Sequence, residues 1–184
     1  MTAPLTYPDI HSFRAASGWL DLNNFNEAEA ELNKISEGAQ LHPDVLEIRW
    51  RTNAHVLNWT ACIAIAETTI RVAPGEVSGW IHRSFALHEL KRTSEALEKI
   101  LPAVELFPKD WTLIYNVACY QCQLGDLPAA RLWLARAFTL GHLEESRARA
   151  LEDPDLQPLW NEILTIGPIH AGKRTNQEEN ESND

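Results

Sequence analysis

Trp111 to Gly141, WTLIYNVACYQCQLGDLPAARLWLARAFTLG, is the stretch whose pattern decides the fold. Apolar or small residues fall at Ile114, Val117, Ala118 and Leu124, then at Leu127, Ala130, Leu134 and Ala137. That is helical spacing on both sides of Leu124-Gly125-Asp126-Leu127, so the stretch reads as two antiparallel helices joined by a tight turn. Asp126 is placed to cap the second helix, and Pro128 falls in its first turn, where a missing N–H is harmless. The pattern returns 34 residues upstream as Trp80, Ser84, Leu87 and Leu90, then Ala96, Ile100 and Ala103, closing at Pro108.

Moving outward, the same register divides the chain into units 9–42, 43–76, 77–110 and 111–144. In the first, Ser12, Ala15, Ala16, Trp19 and Leu22 precede a turn at Asn23-Asn24, followed by Phe25, Ala28, Leu32 and Ile35; Gln40 stands where later units have proline. In the second unit Trp59, Cys62, Ala66 and Pro74 hold register, but Trp50 occupies a position that is small elsewhere and Arg49 one that is aliphatic. The alternative stripe Leu46, Trp50, Ala54, Leu57 would mean a rotated first helix. Arg83 repeats Arg49 one period later, and its stem can cover apolar surface while the guanidinium reaches an edge or a carboxylate. Pro102 lies inside a helix and predicts a kink or loosening there. Residues 1–8 read as a lead-in and 145–165 as a cap in which Trp160, Ile163 and Leu164 share a face; the polar tail 166–184 reads as disordered.

A period of 34 with these landmarks resembles the tetratricopeptide repeat (TPR) family, over about 9–144. ALEDPDLQPLW is similar to the closing segment after the last repeat in many bacterial TPR proteins. The resemblance implies an all-α fold: a right-handed α-solenoid, or superhelix, of stacked helix pairs with C-terminal capping helices. It also implies that the first helices line a concave groove that binds peptides or protein segments. The groove positions are then Phe13, Ser17 and Leu20; Glu47, Arg51, Ala54 and His55; Ile81, Phe85, His88 and Glu89; and Tyr115, Cys119, Cys122 and Gln123. Solvated groove positions are ordinarily polar, so Phe13, Ile81, Phe85 and Tyr115 suggest an apolar anchor with a polar rim. The alternative is a structural or homodimeric subunit whose groove is covered by the cap or by a second copy. One TPR subset grips chaperone C-terminal carboxylates with Lys, Arg and Asn; the matching positions here hold Phe13, Ser17, Ile48, Ser78 and His82, so that ligand is not expected.

The bulk properties narrow the rest. The 184 residues, 45% of them hydrophobic, suffice for one continuous core. A net charge of -10 argues against nucleic acid and anionic membrane as partners, because phosphate binding needs clustered cations. MTAPLTYPDI has neither a basic start nor an apolar segment, so no secretory signal is expected, and the uncharged stretches are shorter than a membrane span. Three cysteines do not suggest a disulfide framework, and a cytoplasmic protein is the simplest reading. Cys119-x-x-Cys122 places two thiols on one helical face, with His55 and His88 as candidates to join them around zinc. A redox motif, however, belongs at a helix N-terminus, and small thiols in mid-helix pack well as core. No phosphate loop, G-x-S-x-G elbow or H-E-x-x-H occurs. The expectation is therefore no enzyme, no catalytic residues, no cofactor and no metal.

Overall fold

The computed structural model describes residues 3–141 and 143–167; most of the predicted polar tail, 168–184, lies outside them. Among the described residues the secondary structure is helical throughout. Four hairpins follow one another: α1 (Asp9–Asp21) with α2 (Phe25–Leu32), α3 (Pro43–His55) with α4 (Trp59–Val72), α5 (Ser78–Glu89) with α6 (Thr93–Leu106), and α7 (Trp111–Gln123) with α8 (Leu127–Leu140). The chain closes with α9 (Leu143–Glu152), a 3₁₀ segment Pro154–Leu159 and the short α10 (Trp160–Ile163). Each helix packs on the next, and α1 also meets α3 as α5 meets α7. The fold is an α-solenoid. No described helix is long and apolar enough to cross a membrane.

The repeat is written most plainly in the turns. The second helices begin at Phe25, Trp59, Thr93 and Leu127, 34 residues apart each time. Before each, one residue takes the left-handed conformation: Asn23, Leu57, Lys91 and Gly125, with φ of 55°, 56°, 62° and 84°. The following N–H returns to a carbonyl five residues back, as in Asn24 to Trp19 and Asp126 to Gln121, which satisfies the otherwise unpaired end of the first helix. Asn24, Asn58 and Asp126 then cap the second helix through their side chains, whereas Arg92 does not. The helices cross at Ala28, Cys62, Ala96 and Ala130, each fully buried, because only small side chains allow that approach.

Several local expectations are corrected. In α3 the buried residues are Pro43, Val45, Leu46, Ile48 and Thr52, while Trp50 and Ala54 are half-buried and Leu57 lies exposed in the turn, so the rotated stripe does not form. Leu22 and Leu124 are likewise exposed, just before the left-handed residue. α6 runs unbroken through Pro102, which lies on its exposed side. Arg49 meets the Glu29 carboxylate at 2.6 Å and the Gln40 side-chain oxygen at 2.7 Å, whereas Arg83 donates to the Lys99 carbonyl at 2.9 Å. Gln40 also donates to the carbonyls of Leu32 and Ile35, closing the end of α2.

The core falls into two parts. One joins α1, α2 and the start of α3, with Ala16, Leu20, Leu32, Val45 and Ile48; the other runs from α5 to α10. The cap completes the second part with Ala150, Leu156, Leu159 and Ile163, all fully buried. Trp160 Nε1 donates to the carbonyls of Ala150 and Asp153, which folds the segment back on α9. Leu164, expected on the same face, is exposed.

Candidate functional site: a groove along the first helices

A groove of about 750 Å³ runs between α3, α5, α7 and the C-terminal segment. Its position follows from one substitution in the repeat. Where the other first helices carry Ala16, Ser84 and Ala118, α3 carries Trp50. The indole lies flat on His82 of α5, ring centroids 3.9 Å apart, and meets Phe85 edge-on at 6.2 Å. A side chain of that size holds α3 off α5, and their backbones approach less closely than those of α1 and α3 or α5 and α7. Trp59 of α4 meets the same Phe85 edge-on at 5.7 Å. Phe85 remains 37% exposed, so one large apolar ring faces the opening of an otherwise packed aromatic cluster.

Electrostatics at this end follow from burial. His82 is pushed down to about 4, first by desolvation and then by the nearby Arg51 guanidinium, and so is neutral at pH 7. Its Nδ1 lies 3.5 Å from Glu47, whose carboxyl burial pushes up. Along the middle of the groove lie Ile81, Glu89, Thr112 and Asn116. The Asn116 amide has no partner among the described residues, and Glu89 makes no ion pair there.

The α7 end is closed. Tyr115 donates its hydroxyl to Asp153 Oδ2 at 2.9 Å, and the Cys119 thiol lies 3.7 Å from the same oxygen. Gln123 donates to the Asp155 carbonyl at 2.8 Å, and His88 Nε2 sits 3.0 Å from Asp155 Oδ2. The other His88 nitrogen faces the Thr93 hydroxyl at 2.9 Å. Arg149 of α9 lies over the rings of Trp111 and Tyr115. In consequence Tyr115, Cys119 and His88 line the groove but are buried beneath the cap, rather than open as their repeat positions suggested.

Of the other expected groove residues, Ile81 and Phe85 line it, and Glu47 borders it through His82. Phe13 packs against the first core instead, beside buried Leu20, and Ser17 lies on the same helix away from the groove. His55 stacks on Phe25 at 3.4 Å, too far along the chain of hairpins to join Cys119; Arg51 is exposed beyond the lining. Cys122 faces the core, and burial pushes its thiol up to about 11. Cys119 is driven well above its ordinary value by burial and by Asp153 and Asp155, the opposite of an activated redox thiol. Trp50, His82, Asn116, Arg149, Asp153 and Asp155 were not among the expected residues; the out-of-register Trp50 and the DPD of the closing segment were the available signals.

No family model matches the sequence, and no curated protein sequence matches it. Solved structures do. A thermophilic TPR protein in Thermus thermophilus superposes with a TM-score of 0.65 at 18% identity, over 86% of this chain and 100% of that one. MamA RS-1, as an ArsTM double mutant, gives 0.64 at 13% identity over 76% and 77%. YrrB, described as a TPR protein with an unusual peptide-binding site, gives 0.60 at 15% identity over 86% of each chain. The chain therefore has the TPR fold.

Proposed function

We propose that this chain is a non-enzymatic, cytoplasmic interaction scaffold that binds a peptide or protein segment in the groove between α3, α5 and α7. The observation that carries the reading is Phe85: a large ring 37% exposed on a floor made rigid by Trp50, His82 and Trp59. Such a ring offers an anchor site with little ordering cost on the scaffold side. The unpartnered Asn116 amide in the same groove supplies a donor and an acceptor suited to an extended peptide backbone. The peptide-binding site described for YrrB supports the same use of the fold. Among the described residues the closing segment covers α7 and the end of α5 at His88, and the α3–α5 part beside Phe85 is open, which favours the groove reading over that of a wholly covered structural subunit.

Peptides selected from a random display library on the immobilised protein provide the test. Phe85→Ala and Asn116→Ala should each weaken the selected peptides at least tenfold by fluorescence polarisation, while Leu132→Ala on α8 leaves them unchanged. Equal affinity across all three variants would remove the groove from the reading. Phe85 and Asn116 are preferred to Tyr115, whose loss would also unseat the cap.

A further inference from the structure

Three side chains with metal-ligating atoms meet where the C-terminal segment crosses α7, and a histidine of α5 stands against one of them. Cys119 Sγ and one carboxylate oxygen each from Asp153 and Asp155 all lie within 4.8 Å of one another. His88 Nε2 stands 3.0 Å from Asp155 Oδ2. The thiol is 4% exposed and the two carboxylates are half-buried, so the cluster lies on the inner wall of the groove.

Two carboxylates converge on a buried thiol; the His88 imidazole meets one of them, and the Arg149 guanidinium lies over Trp111 and Tyr115. The surrounding contacts have the character of an outer ligand shell. Thr93 engages His88 Nδ1 and so aims Nε2 inward; Tyr115 holds Asp153 Oδ2, and the Asp155 N–H holds Asp153 Oδ1 at 3.0 Å. A tetrahedral zinc ion with bonds of about 2.0–2.3 Å spaces its ligand atoms about 3.3–3.8 Å apart. Cys119 Sγ to Asp153 Oδ2 is 3.7 Å, within that range, and Asp155 offers an oxygen within 4.8 Å of both, which leaves the fourth position to solvent from the groove.

We propose that Cys119, Asp153 and Asp155 form a zinc site that fastens the C-terminal segment onto α7, with His88 of α5 orienting the Asp155 carboxylate. The thiolate favours zinc over magnesium or calcium. On binding, the Cys119 S–H bond breaks, its proton leaves to solvent, and a sulfur–zinc bond forms; Asp155 turns one oxygen to the ion and keeps the other on His88. The set differs from a Cys119/Cys122 pair, since Cys122 faces the core, and the inference stands independently of what the groove binds.

Metal-stripped protein is titrated with zinc chloride by calorimetry and with cobalt(II) by absorption spectroscopy. The expected result is one ion per chain, with a sulfur-to-cobalt charge-transfer band that Cys119→Ser abolishes. Asp155→Asn keeps the shape of the side chain and should weaken zinc at least tenfold. Cys122→Ser and His55→Ala should leave both signals intact, and zinc should raise the melting temperature of the parent but not of Asp155→Asn. Far-UV circular dichroism confirms that the variants are folded. Absence of saturable binding in the parent, or binding that survives in folded Cys119→Ser, overturns the proposal.

Discussion

Replacing Lys91-Arg92 by Gly-Asn should stabilise the protein, because the third hairpin has the least favourable turn of the four. Lys91 sits at φ 62°, where a β-carbon crowds the following carbonyl at about 1–2 kcal/mol. Glycine relieves that strain but returns roughly 0.5–1 kcal/mol through its freer unfolded chain. Arg92 leaves the first N–H groups of α6 without a side-chain cap, whereas Asn24, Asn58 and Asp126 each supply one. Asparagine at a cap contributes about 1 kcal/mol over a residue that cannot cap. The Arg92–Glu95 pair would be lost, but it is solvated and amounts to about 0.3–0.5 kcal/mol. The net gain is about 1–1.5 kcal/mol, or roughly 3–5 °C in a chain of this size. Thermal and urea unfolding followed by circular dichroism measure it, with Asn23→Gly as a near-neutral comparison. A melting temperature unchanged or lowered in Lys91→Gly/Arg92→Asn would refute the reasoning that these turns carry strain.

Gly79→Ala should destabilise by about 1–3 kcal/mol in urea unfolding, because its new methyl would stand 2.9 Å from Ile70 Cγ1 and 3.0 Å from the Ile70 backbone nitrogen, forcing α5 off α4. His82 is held at about 4, below its unfolded value near 6.5, so its neutral form contributes stability above pH 6.5 that is lost as pH falls towards 4. His82→Gln should accordingly flatten the fall of the urea midpoint between about pH 7 and 4.5, and an unaltered slope would exclude His82 as its source. Trp50→Ala should return the His82 titration, followed by NMR, towards 6.5, since the indole covers one face of the ring; a value still near 4 would mean that other groups keep the imidazole dry.

The repeat was legible because it is local. Helix spacing, the turn after Leu124 and the small crossing residues each depend on neighbours within one hairpin, and all recur at the same interval. Ile81 and Phe85 were legible for the same reason, as apolar residues at groove positions of α5. What escaped was non-local. Trp50 broke the small-residue pattern, but its size counts only once His82, almost a whole period away, lies beneath it. Likewise Tyr115 and Cys119 have groove positions by register, yet their burial depends on where residues 34–38 places further along dock. Cys119 and Cys122 were read from their mid-helix place as packed thiols; what the sequence did not show is that burial, and then two carboxylates from the closing segment, raise the Cys119 thiol.

Asp153 joins the cap to the groove wall. Its Oδ1 accepts the Asp155 N–H and so starts the 3₁₀ turn; its Oδ2 accepts from Tyr115 and faces Cys119 on α7. The cap therefore does more than shield the apolar side of the last hairpin: the residue that shapes the cap's turn is bonded to α7. A terminal repeat needs only apolar cover, and Leu156, Leu159 and Ile163 already supply it. The polar contacts from Asp153 and Asp155 to α5 and α7 lie outside that requirement. They close the groove at one end, opposite the aromatic cluster, so its open length is set by where the DPD turn sits. Lengthening the link between α9 and that turn should shift the closed boundary without altering the repeats that carry it.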